Sequence, residues 1–514
     1  MPMTPFVAYG RGRSRDTERS VRSLRAIAAF SASLAMMDLG GCAVGPNFKR
    51  PAAPQTESYT AEPLPPQTVA TEGTAGNGQT LLYGRDIPAE WWTLFHSDKL
   101  NVLVRQSMQD SPDVAAAQAA LRQAHENLLA QEGSFLPAID GTASGVRQKI
   151  SGASYGQPQL GSYIYNLFNA TANVSYTLDV WGGVRRSVEA AGAQADYERF
   201  QLEATYLSLT ANVVTTAIQD ASLRAQIDAT QQIITADRKE LDTVQRQLSL
   251  GGVSRLDVLT QQTQLAAELA SLQVLQKQLL QNRDLLAALV GRIPSQQPDA
   301  QFVLDDLQLP QELPLSVPSQ LLEQRPDVRA YEALLHQASA QIGVATANML
   351  PQVSITGDFG GTTTQFSDLL KSGSNVWSFG AGITQPIFQG GALLHKRRAA
   401  VAAYDQAAAQ YQGVVLTAYR NVADSLHAVN NDAAALEQQT VAARAAGDAL
   451  EISRKRYAAG SISPLDLLVV ERTYWQARIA QLQAQAARYT DTAALFQALG
   501  GGWWHRDAPS TAGR

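Results

Sequence analysis

The sequence predicts a mixed α/β membrane protein that is built from two tandem repeats. Three observations support this prediction: motifs that recur in the same order, helical segments far longer than a globular core requires, and strands in which apolar and polar residues alternate. The recurring motifs indicate how the chain is organised, and the helices and strands indicate what each repeat contains.

Three motifs occur twice along the chain, in the same order and at a nearly constant offset. This arrangement indicates a tandem duplication, so both halves are expected to share one architecture of helix, β-hairpin, long helix, turn and helix. We assign repeat 1 to residues 98–310, with its hairpin at 138–179, and repeat 2 to residues 311–500, with its hairpin at 352–387. The paired motifs are SPDV (111–114) with RPDV (325–328), LDVWGG (178–183) with QPIFQGG (385–391), and GGVSRLDVL (251–259) with GSISPLDLL (460–468).

Each repeat contains one predicted helix of unusual length. The helix that opens repeat 1, from Asp98 to about Ser134, has apolar residues at helical spacing and ends near Pro137. The long helices run from about Val184 to Leu248 and from about Leu393 to Ala459. Each would be roughly 97 Å long at 1.5 Å per residue, whereas an average helix has about 11 residues. Helices of this length form coiled coils or line a tall hollow cylinder.

The hairpin segments alternate between apolar and polar residues with a period of two. Asn, Thr and Ser occupy the opposite face of these strands, and residues 138–148 form a weaker fourth strand. A soluble sheet packed on helices would also alternate, but an uncharged polar face and aromatic residues near strand ends are typical of a membrane barrel with a wet lumen. The candidates for contact with lipid are Phe168, Val174, Tyr176, Trp377 and Phe379.

Four strands cannot close a barrel, and open strand edges in hydrocarbon would leave backbone groups without hydrogen bonds. The chain is therefore expected to form an oligomer. Two copies would supply eight strands, whose interior is filled by side chains, and three copies would supply twelve, which is wide enough for a passage. The alternation alone leaves both numbers open.

Cys42 is the only cysteine, and it follows a basic segment and an apolar run from Ala26 to Met37. This run is shorter than the roughly 20 residues that a spanning helix needs, and its position is typical of an export signal. Leu39-Gly40-Gly41 before Cys42 resembles a bacterial lipobox. The resemblance implies that residues 1–41 are a lipoprotein signal peptide and that Cys42 carries S-diacylglycerol and N-palmitoyl groups. Ala43 favours sorting to the outer membrane.

The composition gives little support for a catalytic, nucleotide-binding or metal-binding site. The chain has a net charge of −5, six histidines and one cysteine, and it lacks the sequence motifs of nucleotide, zinc-protease or hydrolase sites. No nucleic-acid partner, metal, catalytic residue or cofactor is therefore expected. After the signal peptide, no segment has the 18 consecutive apolar residues that indicate a spanning helix.

Two glycine-containing turns, at 251–256 and 460–465, follow the long helices. Glycine suits the left-handed position that ends a helix, so each turn is expected to form a tip where the chain reverses. Asp257 and Asp466 then begin the returning helices, where a carboxylate interacts favourably with the helix dipole. This capping role and a role in a pore remain alternatives for both aspartates.

Four motifs together resemble the TolC-like outer membrane factors of tripartite efflux systems, in the NodT-type lipoprotein branch, over nearly all of residues 42–506. The resemblance implies a homotrimer with a twelve-stranded transmembrane β-barrel continuous with a periplasmic twelve-helix α-barrel. Residues 42–97 would form the lipid-anchored segment and part of an equatorial belt, and residues 501–514 a C-terminal tail. The motifs are GCAVGPNFKRP (41–51), WWTLFHSDKLNVLV (91–104), LPLSVPSQLLEQRPDV (313–328) and ALGGGWW (498–504).

The same resemblance implies a function in the cell outer membrane and the periplasm. The chain would be a passive exit duct for drugs and toxic organics, which an RND-type inner-membrane pump delivers through a periplasmic membrane-fusion adaptor. Val469 replaces an aspartate that some relatives carry near the gate. The adaptor-contact candidates are Gly251, Val253, Gly460 and Ile462, and the gate candidates are Leu465, Asp466, Leu256 and Asp257.

Three other functions are compatible with parts of the pattern. A type I secretion duct for polypeptides would share the fold, and a lipid-tethered coiled-coil protein would share the long helices. Metal efflux is a further possibility, although the six methionines form no clusters. The identity of the substrate cannot be read from the sequence, because a wide polar duct selects weakly.

Overall fold

The computed structural model describes residues 43–506. The predicted signal peptide, Cys42 and residues 507–514 lie outside this range.

The described chain alternates long helices with pairs of strands, as the duplication predicts. The strands are β1 (Thr80–Tyr83), β2 (Ala138–Ser151), β3 (Ser162–Leu178), β4 (Glu312–Leu315), β5 (Gln352–Thr363) and β6 (Asn375–Thr384). The helices are α1 (Asp98–Asp110), α2 (Pro112–Glu132), α3 (Gly183–Ser249), α4 (Arg255–Leu289), α5 (Pro318–Gln324), α6 (Pro326–Ala347), α7 (Ala392–Ala458) and α8 (Pro464–Ala498).

The predicted long helices are confirmed. Helices α3 and α7 have 67 residues each, and the returning helices α4 and α8 have 35 each. Equal lengths in corresponding positions agree with the tandem duplication. Within the described part of the chain, no helix combines the length and the apolar character needed to cross a membrane.

The prediction of one continuous helix from Asp98 to Ser134 is wrong. The structure divides it at Ser111, whose backbone is extended (φ −67°, ψ 125°), and α2 begins at Pro112. Proline disfavours helical backbone at the residue before it. Arg325 has the same extended conformation before Pro326, so both repeats contain this break.

The chain separates into two compact units, and each repeat contributes to both. The strand unit contains the segment that ends at Phe48, together with Leu129–Ala190 and Ala338–Tyr404. The helix unit contains Lys49–Leu128, Ala191–Gln337 and the chain from Asp405 onwards.

The strand unit contains a four-stranded antiparallel sheet in the order β2-β3-β5-β6. The predicted strands are confirmed, but β2 and β3 are longer than expected because the strands continue past the point where the alternation changes face. β2 and β6 form the two outer edges of this sheet, and each has a single partner strand in the described chain.

The helix unit has an apolar core centred on aromatic residues. Trp91 is fully buried and stacks on Phe496 at 5.4 Å, and Phe95 lies 6.2 Å from Tyr489 between ring centres. A short parallel pair, β1 with β4, joins segments far apart in sequence. This pairing was not predicted, since strands of only four residues show no clear alternation.

Arg488 on α8 holds residues 68–77 in place within the helix unit. Its side chain is fully buried, and its guanidinium donates to the Ala75 and Asn77 carbonyl oxygens at 2.7 and 2.8 Å and to the Thr68 hydroxyl at 3.0 Å. Burial lowers the pKa of Arg488 to about 10, which leaves it charged at neutral pH. One side chain thus satisfies three polar groups of a segment without regular structure.

We expect Arg488→Met to destabilise the protein by at least about 3 kcal/mol, because three acceptors, two of them in buried residues, would lose their donor. The measurement is thermal unfolding of the purified protein in detergent, followed by circular dichroism. Arg444→Met is the matched control, since Arg444 pairs with Glu72 on the surface and should change stability by less than about 1 kcal/mol. Equal unfolding of the two variants would contradict the anchoring role.

Candidate channel and docking sites

The turn after each long helix has the glycine that the sequence predicts in the left-handed conformation. Gly251 has φ 77° and Gly460 has φ 71°. The Gly251 N–H donates to Leu248 O (3.0 Å), and the next N–H, of Gly252, donates to Gln247 O (2.8 Å). The turn at Gly460 has the same two bonds. This is the Schellman arrangement, which satisfies carbonyl groups at a helix end.

A capping box begins the returning helix at both turns. At the first turn, Ser254 Oγ accepts a hydrogen bond from the Asp257 N–H (3.4 Å), and Asp257 Oδ2 accepts one from the Ser254 N–H (2.8 Å). Ser463 and Asp466 make the same reciprocal bonds, both at 3.1 Å. The capping role predicted for the two aspartates is therefore confirmed, and a role in the gate stays a prediction.

Hydrogen bonds from serine stabilise the ionised form of both capping carboxylates. Bonds from Ser254 lower the pKa of Asp257, and bonds from Ser463 lower the pKa of Asp466. A lowered carboxyl pKa adds stability above the ordinary titration range, and this stability is lost as the pH falls through the folded-state pKa. Both caps therefore remain ionised at neutral pH.

The predicted gate and adaptor residues surround these two turns. Leu256 is 70% exposed, whereas Leu465, its counterpart in repeat 2, is half-buried. Val253 and Ile462 are also half-buried. The structure thus places the candidates of each repeat together at one helix reversal. Contact with an adaptor and closure of a pore stay predictions.

The strand register places all five lipid-contact candidates on one face of the sheet. Val174 lies opposite Gly357, which lies opposite Phe379, and Tyr176 and Trp377 follow on the same face of their strands. Trp377 and Phe379 are 75% and 74% exposed. Phe168 is half-buried because the Phe366 ring packs against it edge-on at 5.7 Å.

The opposite face of the sheet carries a network of hydroxyl and amide groups. Thr142 and Thr171 hydroxyls lie 2.9 Å apart, and the Asn173 amide donates to Thr142 at 3.1 Å. Thr362 donates to the Asn169 side chain at 2.9 Å. Uncharged polar groups of this kind suit a surface in contact with water.

The segment that follows Cys42 is held near the ends of these strands. The Val44 N–H donates to Trp181 O (2.9 Å), and Arg186 donates to Val44 O (3.2 Å) and to Asn47 Oδ1 (2.6 Å). A Cβ atom at Gly182 would lie 2.5 Å from Ala43 Cα. Only glycine permits this approach, so the pairing of the WGG motif with the start of the described chain is sterically specified.

The helix unit also contains buried acids that were not predicted from the sequence. Asp237 and Glu240 are at most 2% exposed, and burial raises the pKa of both, an effect that Arg472 opposes. Burial and a hydrogen bond with Asp491 raise the pKa of Asp432 to about 7. A carboxylate at a position within the apolar stripe of a helix is the sequence signal that could have identified these buried acids. Over residues 43–506, the structure brings together no group of three or more His, Cys, Asp or Glu side chains that could hold a metal ion.

The model of the outer membrane efflux protein family matches residues 103–292 and 317–501. These two segments cover most of the chain and correspond to the two repeats. The chain belongs to the outer membrane efflux protein family. The resemblance to outer membrane factors is thereby confirmed, and the protein is an efflux protein of the outer membrane.

Relatives of this efflux family match along almost the whole chain. The pyoverdine export outer membrane protein OpmQ of Pseudomonas putida is 28% identical, over 87% of this chain and 95% of its own length. The outer membrane protein OprJ of Pseudomonas aeruginosa is 29% identical, over 92% of this chain and 95% of its own length.

Solved outer-membrane channels have the same fold. The OprN channel superposes with a TM-score of 0.78 and 27% identity, over 90% of this chain and all of that one. The open state of the Neisseria gonorrhoeae MtrE channel gives a TM-score of 0.74 and 26% identity, over 90% of this chain and 99% of that one.

We expect Gly251→Ala to loosen the first turn by about 1 kcal/mol, because alanine is strained at positive φ. A Cβ atom there would meet no neighbour within 4 Å, so the effect is purely conformational. Hydrogen exchange of the turn amides should become roughly fivefold faster. Gly252→Ala is the control, since Gly252 is not among the glycines with positive φ. Equal exchange rates in the two variants would refute this account.

Proposed function

We propose that this efflux protein is the outer-membrane exit channel of a tripartite system and that it works as a homotrimer. The observation that carries the proposal is the four-stranded sheet, which has one exposed apolar face, one polar face and two outer edges. A sheet of this kind can lie in a bilayer only if its edges find partner strands.

Three copies would supply twelve strands. Joining β2 of one copy to β6 of the next would satisfy both edges and would place Trp377 and Phe379 towards lipid. The threonine and asparagine network would then line a passage wide enough for solutes. The likeness to solved outer-membrane channels supports the same arrangement, with α3, α4, α7 and α8 of three chains forming a twelve-helix barrel in the periplasm.

The two helix reversals would form a ring of six tips that receives the adaptor. Each tip is built from the same Schellman turn and capping box, so the tips would be nearly equivalent in shape. Gly251, Val253, Gly460 and Ile462 would contact the hairpins of a membrane-fusion adaptor protein. Leu465 would narrow the opening, and binding of the adaptor would shift the tips from closed to open.

A lipid anchor on Cys42 would complete the attachment to the membrane. Ala43 is the next residue in the chain, and its packing on Gly182 holds it close to Trp181, just after the end of β3. Acyl chains on Cys42 would therefore start near one end of the membrane-facing strands. Two or more acyl chains give stable anchoring, whereas one chain is marginal.

The cargo we propose is small molecules. The names of relatives refer to pyoverdine, toluene, antibiotics and cations, all of which are small solutes. A passive polar passage adds little selection, so the choice among solutes would lie with an RND-type inner-membrane pump. Energy would also come from that pump, and this chain would act as a conduit without catalysis.

We expect the mature protein in detergent to have the mass of three chains, because closure of the sheet requires partner strands. The measurement is light scattering during size-exclusion chromatography, with a gel comparison of heated and unheated samples. A stable monomer that retains its strands would overturn the barrel, and a stable dimer would overturn the number three.

We expect Leu465→Ser to raise single-channel conductance several-fold, because a smaller side chain would widen the narrowest point of the pore. Conductance is measured in planar bilayers with the purified oligomer. Leu256→Ser is the matched variant in repeat 1, and it should raise conductance less than Leu465→Ser, because Leu256 is 70% exposed whereas Leu465 is half-buried. If only Leu256→Ser raises conductance, the gate belongs to repeat 1.

A further inference from the structure

The first hairpin extends beyond the rest of the sheet. Pairing of β3 with β5 ends at Phe168 and Thr363, whereas pairing of β2 with β3 continues to Ser151 and Ser162. Six further residue pairs correspond to about 20 Å of two-stranded ribbon at 3.3 Å per residue. The outermost pairs of this hairpin therefore have no neighbour in β5.

The alternation of apolar and polar residues changes face where this extension begins. In the part of β3 that pairs with β5, Phe168 and Val174 lie on the lipid-facing side. In the extension, Leu167, Tyr165 and Tyr163 lie on the other side, and Tyr163 stacks on Tyr165 at 5.7 Å. The register between β2 and β3 is unbroken through this point, so no bulge turns the side chains to the other face. The apolar residues change face because the order of apolar and polar residues in the sequence changes.

The lipid-facing side of the extension becomes basic. Arg147 lies opposite Asn166, and Lys149 lies opposite Ile164, on the same face as Phe168. Both cations are exposed. Arg147 lies two residues beyond Gly145, the partner of Phe168, and this separation is about 7 Å along the strand.

The acidic residues of the two hairpins lie elsewhere. Asp140 and Asp358 project from the polar face, where Asp358 bonds to Ser378. Asp368 pairs with Lys371 in the connection after β5, at 2.6 Å. No carboxylate of the described hairpins therefore shares a face with the two basic residues.

We propose that Arg147 and Lys149 bind the phosphate groups of lipid headgroups in the outer leaflet. The proposal rests on the barrel described above, because only that barrel places this face towards lipid. The aromatic pair Phe168 and Phe366 lies near the end of the apolar band, where headgroups begin, and beyond it Ile164 is the one apolar side chain of β2 and β3 on this face. Cations at that level complement anionic headgroups, while their aliphatic stems can lie along apolar surface.

The test measures binding of lipid A to the detergent-solubilised oligomer by native mass spectrometry. Two probes with the same acyl chains are compared: lipid A with both phosphates and chemically dephosphorylated lipid A. The wild type should prefer the phosphorylated form. In the double variant Arg147→Ala with Lys149→Ala this preference should fall about 25-fold, since each cation near an anionic surface contributes roughly a fivefold effect.

Two controls separate charge from structure. The exchange Arg147→Lys with Lys149→Arg should retain the preference, because both charges remain. Lys371→Ala removes a cation of the second hairpin that is already paired with Asp368, and it should also retain the preference.

Three results would overturn the proposal: unchanged binding in the double alanine variant, equal binding of the two probes to the wild type, or competition by free phosphate at the same concentration as lipid A. Conductance recorded with the same samples distinguishes this failure from failure of the proposed function. A conducting trimer without the lipid preference removes only the headgroup site, whereas a chain that forms no channel removes the barrel itself.

Discussion

The unsatisfied backbone groups at the two edges of the four-stranded sheet are the constraint on which the proposed assembly depends. In water an exposed edge is tolerated, but in hydrocarbon each unpaired N–H or C=O group costs several kcal/mol. In the proposed assembly, β2 of one copy would pair with β6 of the next and satisfy these groups. The apolar face, the polar face and the number of strands would acquire a function only once those edges are closed.

Because of the duplication, both halves have the same local structure where a long helix ends and the chain reverses. Each long helix has 67 residues and ends in a Schellman turn, and each returning helix starts at a capping box and has 35 residues. The repeats differ where their roles can differ. Leu465 is half-buried and Leu256 is exposed, and the first hairpin is longer than the second. In the proposed trimer, a ring of six similar tips would contain one closing residue per chain.

Much of the fold could be predicted because its determinants are local. Periods of 3.6 and 2 residues identify helices and strands, and glycine at positive φ identifies Gly251 and Gly460 as turn residues. Proline also acts locally, and the break at Ser111 could have been predicted from Pro112. The strand ends could not, because β2 and β3 continue through the point where the apolar side changes and a single period no longer describes them.

The sequence by itself determined the duplication, the type and order of the main elements, the two turns and the face on which each residue of the regularly alternating strand segments lies. Only the tertiary structure decided which distant segments meet. Arg488 binds carbonyl groups around residue 75, β1 pairs with β4, and Gly182 packs against Ala43. The physical reason is that periodicity and backbone preference act between near neighbours, whereas these contacts depend on shape and polarity shared by residues more than a hundred positions apart.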